Sequence, residues 1–348
     1  MRVFLTGGTG FIGQPLTAAL RARNWDVTAL VRKPDAAPAR ALVALGVTLA
    51  PGDVTERDSM RASMTGADLV IHNAGHYELG VDAEGARRME AVNVRGTDNL
   101  LGLAQELGIR RTVYVSTVQA FGDTGHTTIR DEGFVRQSPI RTHYERTKTE
   151  AHQIARGYQA HGLPLTIVCP NGVIGPNDHS IFGYFVRLYL AGLMPPMAWC
   201  PESRYSFVEV HDLAEGVALA GEKGRIGESY LLCGESKSLR EHFALWNQRP
   251  GGMRIQLWLP WWMMWPSLWP LEPLERMLGL PAFLSRETVH AGRTSLHYTS
   301  AKAQRELGWR YRSAESMWLG TIDAEIELLN RRSRRDLVSR LNPLEAGV

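Results

Sequence analysis

Cysteine is scarce. Cys169, Cys200 and Cys233 are the whole complement, odd in number and widely separated, which excludes a disulfide framework and a Cys-x-x-Cys zinc pattern and points to a reducing compartment. Charge of one sign is also lacking. A net +3 over 348 residues gives no general argument for nucleic-acid binding, and no nucleic-acid partner is expected. Much of that excess lies in the last eighteen residues, at Arg331, Arg332, Arg334, Arg335 and Arg340, and reads as a solvated basic tail over 326–348. No internal repeat or low-complexity linker interrupts the chain. The N-terminus reads as a sheet strand rather than a cleaved signal, so a cytoplasmic protein is expected. His72, at a strand end, and His143 read as structural or solvent-facing, and no metal is expected.

What is present starts at the first residue. The apolar Arg2-Val3-Phe4-Leu5 runs into Gly7-Gly8-Thr9-Gly10-Phe11-Ile12-Gly13 and then into an Ala/Leu-rich helical stretch ending near Arg23. In such a strand–turn–helix the glycines permit close backbone approach, and the helix N-terminus offers free N–H groups and a positive dipole end to a pyrophosphate. Gly8, Gly10 and Gly13 match G-x-G-x-x-G, and Gly7, Gly10 and Gly13 match G-x-x-G-x-x-G, in the context the motif requires.

Short apolar runs then alternate with helical stretches: Asp26 to Val31, Val47 to Ala50, Asp68 to His72, Thr112 to Ser116 and Leu165 to Cys169. This predicts an α/β fold, a doubly wound parallel (Rossmann) sheet with ligands at the carboxyl ends of the strands. From about Gly172 the pattern loosens, with Pro176, Pro195, Pro196 and Pro201, and it returns at Phe207 to Val210 and Tyr230 to Cys233. The expected organisation is a dinucleotide-binding domain of 1–172 plus 204–235 and a smaller, interleaved C-terminal substrate lobe of 173–203 plus 236–325. Asp212 is expected to cap the helix that opens at His211.

Tyr144-Glu145-Arg146-Thr147-Lys148 opens another predicted helix. The i, i+4 spacing puts the phenol and the ammonium on one face. A tyrosine titrates near pH 10, and a neighbouring cation favours its phenolate, as proton transfer near neutrality requires. Upstream, Val113-Tyr114-Val115-Ser116-Thr117 ends a strand in two hydroxyls, either of which can hydrogen-bond a carbonyl oxygen as charge develops on it.

Together these residues resemble the extended short-chain dehydrogenase/reductase family, the group of nucleotide-sugar epimerases and dehydratases, dihydroflavonol reductases and 3β-hydroxysteroid dehydrogenases. Thr6 to Gly13 is similar to its cofactor loop, Gly52-Asp53-Val54-Thr55 to its adenine contact, and Asn73-Ala74-Gly75 to the turn after its fourth strand. Asn93 to Leu101 is similar to its central helix, and Ala301-Lys302-Ala303 with Glu306-Leu307-Gly308-Trp309 to its C-terminal signature. The resemblance implies that Tyr144 is the general acid/base and that Lys148 holds the nicotinamide ribose and lowers the Tyr144 pKa. It puts the catalytic hydroxyl on Thr117, aligned back from Phe121-Gly122. It implies cofactor contacts at Gly7, Gly10, Phe11, Ile12, Gly13, Arg32, Asp53, Val54, Ala74, Lys148 and Pro170, and a homodimer formed through sheet-flanking helices.

An NAD site usually places an acid at the end of the second strand, on the ribose 2′-OH. Here Val31 stands in that position, followed by Arg32 and Lys33. Arg32 suits a 2′-phosphate, so NADP(H) is expected, with NAD(H) the alternative if Asp35 folds back. Two nucleotide-sugar features are missing: Gly172 stands where those enzymes carry a nucleotide-binding Asn, and the stretch at Val289 to Thr294 keeps Arg293 but lacks the Gly-Asp. In their place comes Leu257 to Leu271, with Trp258, Trp261, Trp262, Trp265 and Trp269 at helical spacing. Core packing, a hydrophobic substrate wall with methionine as filler, and peripheral membrane contact through Trp258 to Trp269 are three readings of that stripe. Pro260, Pro266 and Pro270 argue against a spanning helix.

The expected function is therefore an NADP(H)-dependent carbonyl reductase, or the reverse alcohol dehydrogenase, acting on a predominantly apolar small molecule. The rivals are a nucleotide-sugar epimerase or dehydratase with tightly bound cofactor, and a non-catalytic NADP(H)-binding sensor.

Overall fold

The computed structural model describes residues 1–194, 196–249, 254–268 and 285–330. Seven parallel strands form its main sheet: β1 (Arg2–Thr6), β2 (Asp26–Val31), β3 (Thr48–Pro51), β4 (Leu69–His72), β5 (Thr112–Val115), β6 (Leu165–Pro170) and, late in the chain, β11 (Ser229–Leu232). Their order is β3-β2-β1-β4-β5-β6-β11, so the winding reverses between β1 and β4. A crevice opens at that point over the carboxyl ends of the strands.

The strands are apolar throughout because helices cover both faces. Side chains alternate along β1: Val3 and Leu5 pack with Leu16, Leu20, Leu213 and Val217, which come from α1 (Gly13–Ala22) and α8 (Val210–Lys223). Phe4 faces the other way, with Leu100, Leu101, Ala151 and Ala155, from α5 (Gly96–Glu106) and α6 (His143–Ala160). Between α4 (Ala83–Glu90) and α5 the helix widens into a π turn over Ala91–Arg95, which carries the buried Asn93 inward. The cap of α8 differs from expectation. The helix begins at Val210, and the Glu209 carboxylate accepts from the backbone N–H groups of His211 and Asp212. Asp212 is held instead by the guanidinium of Arg312, a partner a hundred residues away.

After β6 the chain leaves the sheet through β7 (Val173–Ile174), α7 (Ile181–Leu190), β8 (Met197–Trp199) and β9 (Arg204–Tyr205). It returns with β10 (Val208–Glu209), which pairs with β7, and with α8 and β11. The second lobe then resumes with β12 (Lys237–Ser238), α9 (Leu239–Trp246), β13 (Leu257–Leu259), α10 (Trp261–Met264) and α11 (Arg286–Arg293). Its core is aromatic: Trp246 and Trp318 lie with ring centroids 5.1 Å apart, Phe207 packs edge-on to Trp318, and the Trp318 indole N–H donates to His242.

Two boundaries shift. The helix α12 (Ala301–Leu307) packs on α8 and β11 and so lies with the sheet, not with the lobe. The last helix, α13 (Ala314–Asn330), runs into the stretch expected to be tail; residues 331–348 are outside the described part. Within α13 the buried Glu325 carboxylate accepts from the backbone of Asn177 at 2.7 Å and faces the buried guanidinium of Arg187 at 3.6 Å.

Candidate active site

A cavity of about 1030 Å³ follows the crevice from the β1–α1 turn across the strand ends into the second lobe. At one end stands the glycine turn. Gly7 has φ +71°, and a Cβ there would meet the Asn73–Ala74 backbone at 2.7–2.8 Å, so the β1 and β4 turns touch only because the residue is glycine. Gly7, Gly10, Phe11 and Ile12 line the cavity. Gly13 does not; a Cβ on it would stand 1.9 Å from the Gly7 carbonyl oxygen, so its part is to let the helix close against the turn.

The end of α1 suits an anion. Its cap, Ile12, offers no side-chain hydrogen bond, and its first turn holds no acid, so the dipole end is left uncompensated by the protein. Asn73 Oδ1 is buried without a hydrogen-bond partner. A ligand with donors and a phosphate charge fits both observations, and the residues fit a dinucleotide. Val31, Arg32, Lys33, Asp53, Val54, Ala74 and Pro170 all line the same cavity. Arg32 is exposed and has no acidic partner among the described residues, whereas Asp35 is not on the cavity wall.

At the centre lie Thr117, Tyr144 and Lys148. Thr142 caps α6 by accepting from the Glu145 N–H at 3.0 Å, and the Glu145 carboxylate is gripped by Arg136 and the backbone of Arg141. Tyr144 therefore sits in a fixed first turn, with Tyr77 edge-on to its ring at 4.7 Å. Burial pushes the Tyr144 phenol up to about 12, and the Thr117 hydroxyl opposes that shift. Lys148 is 5% exposed. Its ammonium donates to the Val115 carbonyl at 3.2 Å and lies over the Tyr114 ring, 3.5 Å from the Tyr114 oxygen. Burial brings it down to about 8. Burial is the largest cause acting on the Tyr144 phenol, and the Lys148 ammonium is engaged with Val115 and Tyr114.

The two hydroxyls at the end of β5 separate. The Ser116 hydroxyl pairs with His152, while that of Thr117 bears on Tyr144. Asn93, in the π turn, bridges the His76 backbone and the Thr147 hydroxyl. His72 is fully buried between Thr6 and Thr97, and His76 pairs with Glu78, so the two do not converge although four residues apart. Among the described residues no three His, Cys, Asp or Glu side chains gather as metal ligands.

The far end of the cavity was not read from the sequence. Phe182, Phe185, Met194, Trp199, Tyr205 and Phe243 form its wall, with Asp178 and His290 among the polar groups. They come from short elements with weak local patterns, and only the crowding of aromatics in Ile181–Leu190 gave a signal. The tryptophan stripe is not part of this wall. Trp258 is half-buried on Phe243, whereas Trp261, Trp262 and Trp265 are 39%, 60% and 40% exposed. Core packing and substrate wall are thus both overturned for these three. Pro260 ends β13 and caps a helix of four residues, so Trp258 lies on a strand apart from the other three, while Trp261 and Trp265 pack edge-on at 6.3 Å. Trp269 lies outside the described residues.

The comparisons agree with this architecture. Residues 3–233 match the model of the NAD dependent epimerase/dehydratase family. A Synechocystis sp. protein named as a dihydroflavonol 4-reductase is 33% identical over 322 residues, covering 88% of this chain and 89% of its own. Sterol demethylase protein B of Methylococcus capsulatus is 31% identical over 314 residues, covering 88% and 93%. The crystal structure of gox2253 superposes with a TM-score of 0.78 at 29% identity, covering 95% of this chain and 99% of that one. With the glycine turn, the Tyr/Lys pair and the seven-stranded sheet in the arrangement described, the chain belongs to the NAD dependent epimerase/dehydratase family, the extended short-chain dehydrogenases/reductases, which are nicotinamide-dependent enzymes.

Proposed function

We propose that the protein is an NADP(H)-dependent reductase of a carbonyl group on a predominantly apolar small molecule, working also in the alcohol-oxidising direction. One observation carries the substrate reading: the places that would hold a nucleotide diphosphate are closed or turned away. A Cβ on Gly172 would meet the Phe207 ring at 2.6 Å, so no asparagine fits there. Arg293 does not line the cavity; its guanidinium stacks 4.6 Å over Trp261 on the outside of the lobe. The wall left behind is aromatic and aliphatic, which favours a substrate bound by apolar area with a few polar contacts. The relatives named for dihydroflavonol and sterol chemistry point the same way.

The glycine turn and the open end of α1 would hold the pyrophosphate, Arg32 the 2′-phosphate, and Lys148 the nicotinamide ribose. When bound, the nicotinamide supplies or accepts the hydride. Thr117 donates a hydrogen bond to the carbonyl oxygen and so stabilises the charge that grows there. Tyr144, kept protonated by burial, donates its phenolic proton to the same oxygen, the role that reduction requires.

The test is NADPH consumption by purified protein with a panel of polycyclic ketones, set against UDP-glucose, together with an assay for retained nicotinamide. Turnover of ketones that depends on added NADPH supports the reading. Conversion of the sugar nucleotide by protein that carries its own cofactor would replace it with the epimerase or dehydratase reading, and binding without any turnover with the sensor.

A further inference from the structure

The second lobe presents an apolar face that the cavity does not use. Leu257, Trp261, Trp262, Met263 and Trp265 are 51%, 39%, 60%, 48% and 40% exposed. They adjoin Met197, which is register-paired with Leu257, and Met197 is itself 38% exposed while also lining the cavity. The face therefore reaches the cavity rim. Its edge is cationic: Arg293 lies over Trp261 at 4.6 Å, Arg286 over Trp265 at 5.9 Å and Arg240 over Trp258 at 5.1 Å. Among the described residues, the one carboxylate paired with these three is the exposed Glu202, 3.7 Å from Arg240.

We propose that this face docks on the headgroup region of an anionic bilayer, with the tryptophans and Met263 inserted and Arg286 and Arg293 on lipid phosphates. Tryptophan is flat and apolar with one N–H donor, and it prefers the zone between water and acyl chains. Arginines stacked on such rings keep their stems on apolar surface and their charge toward phosphate. A second copy is a poorer occupant, since a two-fold contact would set the arginine edge against itself. The docking is interfacial: among the described residues no helix is long and apolar enough to cross a membrane. It stands independently of the substrate reading.

The full chain should co-sediment with phosphatidylcholine vesicles that contain phosphatidylserine, with a blue shift in tryptophan emission, and less with phosphatidylcholine alone. Trp261→Ser with Trp262→Ser should weaken that binding about tenfold or more, with melting temperature and NADPH affinity unchanged. Arg286→Gln with Arg293→Gln should remove the preference for phosphatidylserine, as should high salt. Equal binding by wild type and the tryptophan variant, or no binding at all, would overturn the proposal. So would a concentration-dependent dimer that the tryptophan variant abolishes, since the occupant would then be a second copy.

Discussion

The Ser116 hydroxyl lies 2.9 Å from Nδ1 of His152, and this pairing leaves Thr117 as the hydroxyl facing Tyr144. Thr117→Ala should lower kcat for ketone reduction about a hundredfold or more, the usual cost of losing one donor to a developing oxyanion. Thr117→Ser should restore most of it, and Ser116→Ala should change kcat less than about fivefold, on the same scale. Equal losses for Ser116→Ala and Thr117→Ala, read by steady-state kinetics, would reverse the assignment.

Tyr144→Phe removes the phenolic hydroxyl, the proposed proton donor, and keeps the ring that packs on Tyr77. Turnover should fall about a thousandfold or more, while NADPH affinity by fluorescence titration stays within about twofold. Activity that survives this change would sink the mechanism.

Arg32 and Lys33 are exposed cations on the cavity wall after β2, and Arg32 is the one whose planar fork suits a phosphate. Arg32→Ala should cut kcat/KM for NADPH at least about tenfold and leave that for NADH nearly unchanged. An equal loss for both cofactors would assign the residue to the fold rather than to the 2′-phosphate.

Lys148 is brought down to about 8 by burial, so its charge is present below that pH and lost as the pH rises through it. Reductase activity should decline above about pH 8. Tyr144, pushed up to about 12, remains protonated across that range. Lys148→Arg keeps its charge, and the alkaline limb of its residual activity should move upward. A limb that stays in place would be traced to another group.

His72, His152 and His242 are held neutral by burial, at about 3, 4 and 4 against an ordinary 6.5. Their folded values are depressed, so the unfolded chain takes up protons first. The stability they contribute is full above about pH 6.5 and is lost as the pH falls below it, at about 1.4 kcal/mol per pH unit for each. Thermal melts should therefore drop by several degrees between about pH 7 and pH 5.5. A melting temperature that rises over that interval would contradict this.

Much of the dinucleotide half was legible in the sequence because its signals are local. Asp26–Val31 was bounded correctly from its apolar run, and Thr142-His143-Tyr144-Glu145 carries its own helix start. Readings failed where distant residues decide. Asp212 is an ordinary cap by type, yet Arg312 claims it and Glu209 caps in its place. Trp258 and Trp262 have helical spacing, yet Pro260 falls between them, ending a strand and capping a helix of four residues. The cavity's far wall was hidden for a related reason: Trp199 and Phe243 meet across it only once β8, β13 and α9 have been assembled from separate stretches of chain.

Glu325, near the end of the last described helix, holds Asn177 and faces Arg187 at the start of the first excursion from the sheet. The second lobe is thus tied together from its two extremes, with α8 and β11 threaded between them. Such a lobe does not travel as a cassette: a graft from a relative would have to replace both excursions and α13 in one exchange, or leave a buried carboxylate facing nothing.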